Sequence, residues 1–427
     1  MNLRPRAVVD RMGLRDAHST DRRAAGPVRA VRAAEREDYR VRMSVRAGCG
    51  LSSLPDPAAA ATQAARAAQD QLGPYPADLV FLFCSGTHLV EPSITLEAVH
   101  EVLAPGTLAG CGAGGVLGAG RELEDGSAVS VWAAHLGEGR AEAFHAEVEQ
   151  LEDAVAISGF PELVGASALV LLPDPYTFPT DRLLAELPTA APGVPVLGGL
   201  ASGRAGDGAV LFHDREVVPS GAIGVRLEGL EVLPCVSQGA APIGPELTVT
   251  ASEGNVILEL AGRPALERLR EAVEDLDDDE REMLAGGLLL GVVIDSNRPD
   301  YLQGDFLVRG LLGADPEKGA IAVGAPVAIG AVVRLHARDA ASADSDLREA
   351  LDLRRTALGG AAPAGALMFT CNGRGRSLFG VDDHDAVTVS ELLGDAPTGG
   401  FFAAGEIGPV GGETFLHGFT ATIAVFA

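Results

Sequence analysis

The sequence predicts an α/β protein in which a strand, helix, strand, strand unit recurs and forms mixed sheets covered by helices, in two similar halves. The main observation is an internal repeat, and length and composition agree with it. A chain of 427 residues is too long for one ordinary core and indicates about two domains. With 47% hydrophobic but only 4% aromatic residues, the core has to consist mainly of Ala, Val and Leu.

The repeat occurs three times, and each copy takes about thirty residues from its first strand to a glycine-rich segment. The segments of the three copies are 78–86, 93–104, 108–118 and 128–136; 168–176, 183–190, 196–203 and 221–229; and 366–375, 386–394, 399–408 and 419–426. Residues 246–339 also read as strands around a helix at 263–275, which makes this stretch a candidate for a degenerate fourth copy, although its glycine-rich segment is missing.

Charge separates the first 42 residues from the rest of the chain. They carry 11 Arg against 6 acidic residues, a net charge of +5, so the remainder carries −31 of the chain's total of −26. This composition predicts a disordered Arg-rich extension over 1–42, or a coding artefact if translation begins at Met43. The remaining chain is predicted to form two domains, 43–235 and 236–427. A body at −31 repels phosphate backbones, so nucleic acid is not an expected partner.

Composition and motifs exclude several classes of protein. The five cysteines are scattered and never form a CxxC pair, so reduced thiols are expected rather than disulfides or a zinc site. No apolar run reaches the ~18 residues of a membrane helix, and no secretory signal is visible, so we expect a cytoplasmic protein without membrane contact. GCGAGG (110–115) fits a dinucleotide fingerprint, but a strand follows it where a helix is needed. No cofactor and no metal are therefore predicted.

The C-terminal copy holds the candidate site. In CNGRGRSLFG (371–380), Asn372, Arg374 and Arg376 stand between glycines at the end of a strand, next to Cys371. The following glycine-rich segment places Glu406 among glycines, and His417 precedes Gly418. Arginine forks suit carboxylates or phosphates, and glycines let a ligand approach backbone amides. A structural ion pair between Glu406 and an arginine is the alternative interpretation.

Two further segments are candidates for the same site. In DFLVRG (305–310), strand alternation places Asp305 and Arg309 on one face, where an ion pair is plausible. In RLHARDAASADSDL (334–347), Ser342 is predicted as a helix N-cap, with Asp344 and Asp346 in the first turn. The roles of Arg338 and Asp339 stay open.

Long strings of this sequence resemble the FIST family, from residue 47 onward. They are LVFLFCSGTHL, LAGCGAGGVLGAGRELEDG, QGDFLVRGLLGADPEKGAIAVG, VRLHARDAASADSDL, GALMFTCNGRGRSLFG and GFFAAGEIGPVGG. The resemblance implies a FIST N-terminal domain over 43–235 and a FIST C-terminal domain over 236–427. It also implies an intracellular sensory module of signal transduction that binds a small ligand, with amino acids favoured. Residues 1–42 lack the F-box pattern of one branch of the family, so ubiquitin transfer is not implied.

Three functional interpretations follow. In the first, Arg374 and Arg376 hold the carboxylate of an amino-acid-like ligand, Asn372 and Glu406 bind its other groups, and His417 lines the cleft. Such a protein binds without turnover and signals through a separate protein partner. In the second, Cys371 is the nucleophile of a thiol enzyme with His417 as base, which requires a depressed thiol pKa. In the third, the protein is an adaptor that needs no small ligand.

Overall fold

A computed structural model describes residues 44–150, 155–206, 208–295, 301 and 303–427. The predicted Arg-rich extension over 1–42 and the alternative start at Met43 lie outside these residues. The described part is a mixed α/β structure, as the sequence predicts. Its three copies of the repeat lie in three mixed sheets, and the stretch between the second and third copies forms a sheet of its own.

The first copy begins earlier than the repeat predicts. Strand β1 and an alanine-rich helix, α1, precede it, and the helix lies directly on the strand because a Cβ at Gly50 would lie only 1.9 Å from the carbonyl oxygen of Ala64. Its elements are β1 (Arg46–Ser52), α1 (Pro57–Leu72), β2 (Leu79–Ser85), α2 (Pro92–Leu103), β3 (Thr107–Ala113), β4 (Val116–Gly118), β5 (Arg121–Leu123) and β6 (Ala128–His135).

The second copy repeats this order with two strands before it. Its elements are β7 (Arg140–Gln150), β8 (Val155–Ser158), β9 (Ala168–Pro173), α3 (Thr180–Ala190), β10 (Val196–Gly199), β11 (Arg204–Ala205), β12 (Gly208–Ala209), β13 (Leu211–His213), β14 (Glu216–Val218) and β15 (Ala222–Glu228).

The intervening stretch is not a fourth copy. Its elements are β16 (Val232–Gln238), β17 (Ala240–Glu253), β18 (Val256–Leu260), β19 (Arg263–Pro264), α4 (Ala265–Glu274), α5 (Asp278–Met283), β20 (Leu288–Val293), β21 (Phe306–Asp315), β22 (Ala320–Val323) and β23 (Val332–Arg338). From β17 to β23 they form a sheet in the order β17-β23-β20-β21-β22-β18-β19, and β17 also pairs with β18. Each pairing that the structure describes there is antiparallel, whereas the repeat requires a parallel pair.

The third copy has the predicted strands and a helix pair that covers them. Its elements are α6 (Ala340–Ala357), β24 (Gly365–Cys371), α7 (Arg376–Phe379), α8 (His384–Leu393), β25 (Thr398–Ala403), β26 (Glu406–Val410), β27 (Glu413–His417) and β28 (Thr420–Phe426). Strand β16 lies at the edge of this sheet, beside β28. In each copy the first strand is parallel to the glycine-rich strand: β2 to β3, β9 to β10 and β24 to β25.

The three copies exchange hairpins in a closed cycle. Hairpin β4–β5 of the first copy pairs with β25 of the third, hairpin β26–β27 of the third pairs with β10 of the second, and hairpin β13–β14 of the second pairs with β3 of the first. The side chains follow the pairing: Leu117 packs with Met368 of the third copy, and Ile407 packs with Leu171 of the second. Each copy therefore completes the sheet and the core of another.

One face of each of the three mixed sheets contributes to a shared central core. It brings together Phe83 of the first copy, Val225 of the second and Phe401 of the third, with the single tryptophan, Trp132, between the first and third. The helices cover the outer faces, for example α1 and α2 over the first sheet and α6 and α8 over the third. The chain is thus interlocked both through its core and through its sheet edges.

Candidate functional site

The carboxyl ends of the three glycine-rich strands meet at one place. The amide of Gly203 donates to Gly112 O, and the amide of Ala404 donates to Leu200 O, both at 3.0 Å. Ligands of α/β sheets bind beyond the carboxyl ends of parallel strands. The convergence therefore marks this junction, together with the polar loop that follows β24, as the candidate site.

Asn372 lies at the open side of this junction. Its side chain is exposed, and a Cβ at Gly114 would lie 3.5 Å from its Oδ1. The amide of Gly114 in turn donates to Oγ of Ser202 at 2.8 Å. All three copies thus contribute to the surface around Asn372, but Ser202 and Gly114 were not predicted as site residues. The only signal for them was their place in equivalent glycine-rich segments.

Arg374 is buried and paired with Asp385. The side chains of both residues are 1% exposed, and Nε and Nη2 of Arg374 donate to Oδ2 and Oδ1 of Asp385 at 2.7 Å and 2.9 Å. The loop that turns the arginine inward needs Gly375, whose φ is +65°. Burial alone would raise the pKa of Asp385, but the Arg374 charge and His384 hold that pKa well below its usual range. The buried ion pair therefore forms with Asp385 and not with Glu406.

A polar network leads outward from Asp385. The Nδ1 of His384 lies 3.0 Å from Asp385, and its Nε2 lies 3.1 Å from Asp344 on α6. The ring of His384 stacks on that of Phe379 at 3.5 Å. Asp344 also accepts a hydrogen bond from Arg348, at the protein surface. The network connects the loop after β24 to helices α6 and α8.

Arg376 points away from Arg374. Its side chain is 51% exposed, and Nη2 lies 2.6 Å from Asp125 in the turn that follows hairpin β4–β5. Its backbone amide donates to Glu124 Oε1 in the same turn. The two arginines between the glycines therefore do not converge on one point, and the acidic turn of the first copy covers the outer one.

Glu406 is wholly buried and has one oxygen without a partner. Its Oε2 accepts hydrogen bonds from the amide and the hydroxyl of Thr420, at 3.1 Å and 2.8 Å. Within the part of the chain that the structure describes, its Oε1 has no hydrogen-bond partner, and the same holds for Nη1 of Arg374. Burial raises the pKa of Glu406 to about 8. Arg374 and Glu406 thus each carry a buried polar atom that no described residue satisfies.

Cys371 and His417 do not have the properties of a nucleophile and its base. Burial, and then the charge of Glu406, raises the pKa of the Cys371 thiol to about 12. His417 donates from Nε2 to the carbonyl oxygen of Gly408 at 2.9 Å, and burial lowers its pKa to about 4. A thiol enzyme requires the thiol pKa to fall. The structure thus removes the premise of the thiol-enzyme interpretation.

Two family comparisons agree with the strings of sequence quoted above. Residues 78–263 match the FIST N domain, and residues 265–409 match the FIST C domain. The chain belongs to the FIST family. FIST domains are sensory domains of signal transduction.

Curated relatives in mycobacteria match this chain over nearly their whole length. The uncharacterized protein Rv0628c of Mycobacterium tuberculosis is 47% identical over 386 residues, which cover 90% of this chain and 100% of the relative. The uncharacterized protein Mb0898c of Mycobacterium bovis is 46% identical over 386 residues, which cover 90% of this chain and 99% of the relative.

The structure of this FIST protein corrects the expectation for Asp305 and Arg309. Asp305 ends a 3₁₀ turn, Gln303–Asp305, and β21 begins only at Phe306, so the two charged residues do not share a strand face. Arg309 is partly buried, and burial lowers its pKa while Asp181 of α3 counteracts that change. Its charge also acts on His417. Arg309 thus faces the donated hairpin β26–β27 rather than the loop after β24.

Sequence reasoning missed the role of Arg338 in this FIST site. The Nη2 of Arg338 donates to the carbonyl oxygen of Gly373, and its guanidinium lies 5.8 Å from the ring centroid of Phe419. Phe419 itself has a φ of +65°, in the left-handed region. Arg338 therefore ties the last strand of the antiparallel sheet to the polar loop of the third copy.

The predicted cap of helix α6 was also wrong. The side chain of Asp339, not Ser342, caps the helix, since it accepts a hydrogen bond from the amide of Ser342 at 2.7 Å. Asp346 is not a capping residue either, because it accepts from the amide of Gln238 on β16. Asp344 belongs to the network of His384.

The described residues hold no cluster of three or more His, Cys, Asp or Glu side chains arranged for a metal ion. Among the helices that the structure describes, none combines the length and the apolar character needed to cross a lipid bilayer.

Proposed function

We propose that this FIST protein is a cytoplasmic sensory module that binds a small carboxylate, amino acids included, in its C-terminal copy and signals through a separate protein partner. The proposed domains are 43–235 and 236–427, with the site in the second. The proposal joins the family's sensory role to the polar cluster at the carboxyl ends of the strands.

The observation that carries the proposal is the pair of unpartnered atoms, Nη1 of Arg374 and Oε1 of Glu406. Leaving a buried polar atom without a hydrogen bond costs roughly 1–3 kcal/mol, and more for charged groups. Most buried polar groups are therefore satisfied, and among the exceptions in the described residues these two belong to side chains whose charges act on each other, which supports a shared ligand. A guanidinium donor next to a carboxyl group suits the carboxylate of a small ligand.

The other predicted residues take places around these two atoms. In the proposal, Asn372 contacts the ligand from the open side. Cys371 and His417 form uncharged walls of the site, and the charge of Arg309 acts on His417. Arg376 and Asp305 lie at the periphery, where Arg376 already has Asp125 as a partner.

A thermal-shift screen of the full chain against amino acids, small carboxylates and nucleotides tests this function. A ligand at a hundredfold excess over its Kd stabilises the native state by about 2.7 kcal/mol, which raises the melting temperature measurably. We expect a selective shift that is reduced in Asn372→Ala, whose side chain is exposed and whose removal leaves the core intact. Arg376→Ala is the matched control on the same loop and should keep the shift. If no carboxylate shifts the melting temperature, the proposal is wrong.

A further inference from the structure

We infer that the group bound in this site is a hydrogen-bond acceptor, such as the carboxylate of an oxo acid or of another acid without an amino group. In this arrangement Nη1 of Arg374 and a protonated Oε1 of Glu406 both donate to it. The inference rests on the proposed function and narrows its ligand class. It differs from the expectation that Glu406 accepts a hydrogen bond from the amine of an amino acid.

The charge of Arg374 is already neutralised inside the protein. Both Nε and Nη2 donate to Asp385, a pair that is 1% exposed on each side. Of the three guanidinium nitrogens, Nη1 is the one without a hydrogen-bond partner among the described residues. The ion pair is therefore neutral as a unit, and it does not offer a second charge to balance an ionised Glu406.

The other groups around Glu406 do not balance a negative charge either. On β24, Cys371 is an uncharged thiol, since burial raises its pKa to about 12. On β27, His417 lies directly opposite Glu406 in the hairpin register and is neutral, since burial lowers its pKa to about 4. On β28, Thr420 supplies two neutral donors. A fully buried carboxylate without a free cation takes up a proton instead.

Protonation turns the unpartnered oxygen of Glu406 into a donor. Oε2 already accepts two hydrogen bonds from Thr420, so the proton belongs on Oε1. The raised pKa of Glu406, about 8, agrees with this assignment. The site then presents two donors, and Glu406 no longer offers the negative charge that would favour an ammonium group there.

Gly239 lies beside the buried Nη1 of Arg374. A Cβ at Gly239 would lie 3.1 Å from this nitrogen and only 2.3 Å from the carbonyl oxygen of Phe419, so a side chain at position 239 has no room. On the other side of Phe419, a Cβ at Gly418 would meet nothing within 4 Å. Gly239 and Gly418 thus place no side chain on either side of Phe419, beside Nη1 of Arg374.

Matched pairs of acids test the inference. Thermal shifts of the full chain are measured with glycine and glyoxylate, L-alanine and pyruvate, and L-glutamate and 2-oxoglutarate, at pH 6.5 and pH 9. We expect the oxo acid of a pair to shift the melting temperature at least as much as the amino acid. Its Kd should be constant below the pKa of Glu406 and weaken about tenfold for each pH unit above it, because binding then takes up one proton.

The variant Glu406→Gln tests whether Glu406 acts as a hydrogen-bond donor or as a negative charge. The amide of glutamine imitates the protonated carboxyl, so this variant should bind the oxo acid with an affinity that no longer changes between pH 6.5 and 9. Glu413→Gln, an exposed position on the same hairpin, is the control and should behave like the native protein. Infrared difference spectra between the native protein and Glu406→Gln at pH 6.5 report the protonated carboxyl directly, without a ligand.

The outcomes separate the inference from the function. If only amino acids shift the melting temperature, or if Glu406→Gln abolishes an oxo-acid shift, the inference is overturned while the sensory function stands. Absence of a protonated-carboxyl band overturns it whatever the ligand. If none of the six acids binds and the band is present, the proposed ligand class fails, and the two unpartnered atoms hold ordered water only.

Discussion

At the scale of single residues, the buried ion pair of Arg374 with Asp385 is the centre of the polar groups in the third copy. The strand end at Cys371 and the glycines around Arg374 and Arg376 mark a loop in any α/β chain. Asp385 stands in a conspicuous acidic run, yet its choice as the partner of Arg374 depends on how α8 lies against β24. Pairing of this kind is decided by tertiary geometry, which a sequence pattern does not contain.

The buried arginine should matter for stability far more than the exposed one. Removing one partner of a buried pair leaves an uncompensated charge, so Arg374→Ala should lower the free energy of unfolding by about 3–5 kcal/mol. Arg376→Ala removes only surface ion pairs and should cost less than about 1 kcal/mol. Urea denaturation measures both values. Equal losses for the two variants would show that Asp385 is not left unpaired.

Glu406 should make the protein less stable as pH rises. The native state keeps the proton up to about pH 8, whereas the unfolded chain releases it near pH 4.5, so the stabilising contribution is complete below pH 4.5 and is lost across this window. The loss is on the order of a few kcal/mol. Denaturation at pH 5 and pH 8.5 should therefore show a smaller difference for Glu406→Gln than for the native protein.

Part of the pH dependence should remain in Glu406→Gln. Burial, and then the nearby Asp385, also raises the pKa of Glu122 to about 8. A native-like slope in Glu406→Gln would therefore assign the whole effect to Glu122 and contradict the prediction for Glu406.

At the scale of elements, the repeat unit was predictable and the destination of its hairpins was not. Helices α2, α3 and α8 and the parallel strand pairs lie close to the predicted segments. The glycine-rich segments were expected to end in local strands. A hairpin that adds to its own sheet and one that adds to another copy have the same alternation and the same turn residues, such as Ala119 and Gly120 with positive φ. Only the assembled chain distinguishes them.

A mutation in a donated hairpin should destabilise the copy that receives the hairpin. Ile407 is fully buried in the cluster of the second copy, so Ile407→Ala should cost about 2–5 kcal/mol and loosen β9 and β10. Hydrogen exchange should show the lost protection there, about 200 residues away in the chain. Val410→Ala, half-buried near the end of the same strand, is the control. Loss of protection confined to β24, β25 and β28 would contradict the donation of hairpin β26–β27 to the second copy.

At the scale of the whole molecule, composition indicated two domains, whereas the contacts join the three copies into one interdependent unit. The family matches also fall in two segments, 78–263 and 265–409. Residues 44–427 nevertheless form one compact unit by their contacts. Sequence cannot reveal this, since the shared core draws on strands separated by hundreds of residues.

Unfolding of residues 44–427 should be a single transition. Trp132 packs against Phe426 at 5.0 Å and donates to Pro397 O at 2.9 Å, so its fluorescence reports the contact between the first and third copies. Far-UV circular dichroism reports all the copies. The two denaturation curves should coincide, because each copy needs a hairpin of another. A fluorescence midpoint well below the dichroism midpoint would show that the halves separate before they unfold.

The cyclic exchange of hairpins also determines the order of events on the ribosome. The first sheet lacks its edge until residues 211–218 have been made, and the second lacks its edge until residues 406–417 have been made. Multidomain chains usually fold their N-terminal part first while translation continues. Here the nascent first copy presents an open strand edge until residues 211–218 emerge, and the second copy until residues 406–417 emerge, so each edge stays available for incorrect pairing while translation continues.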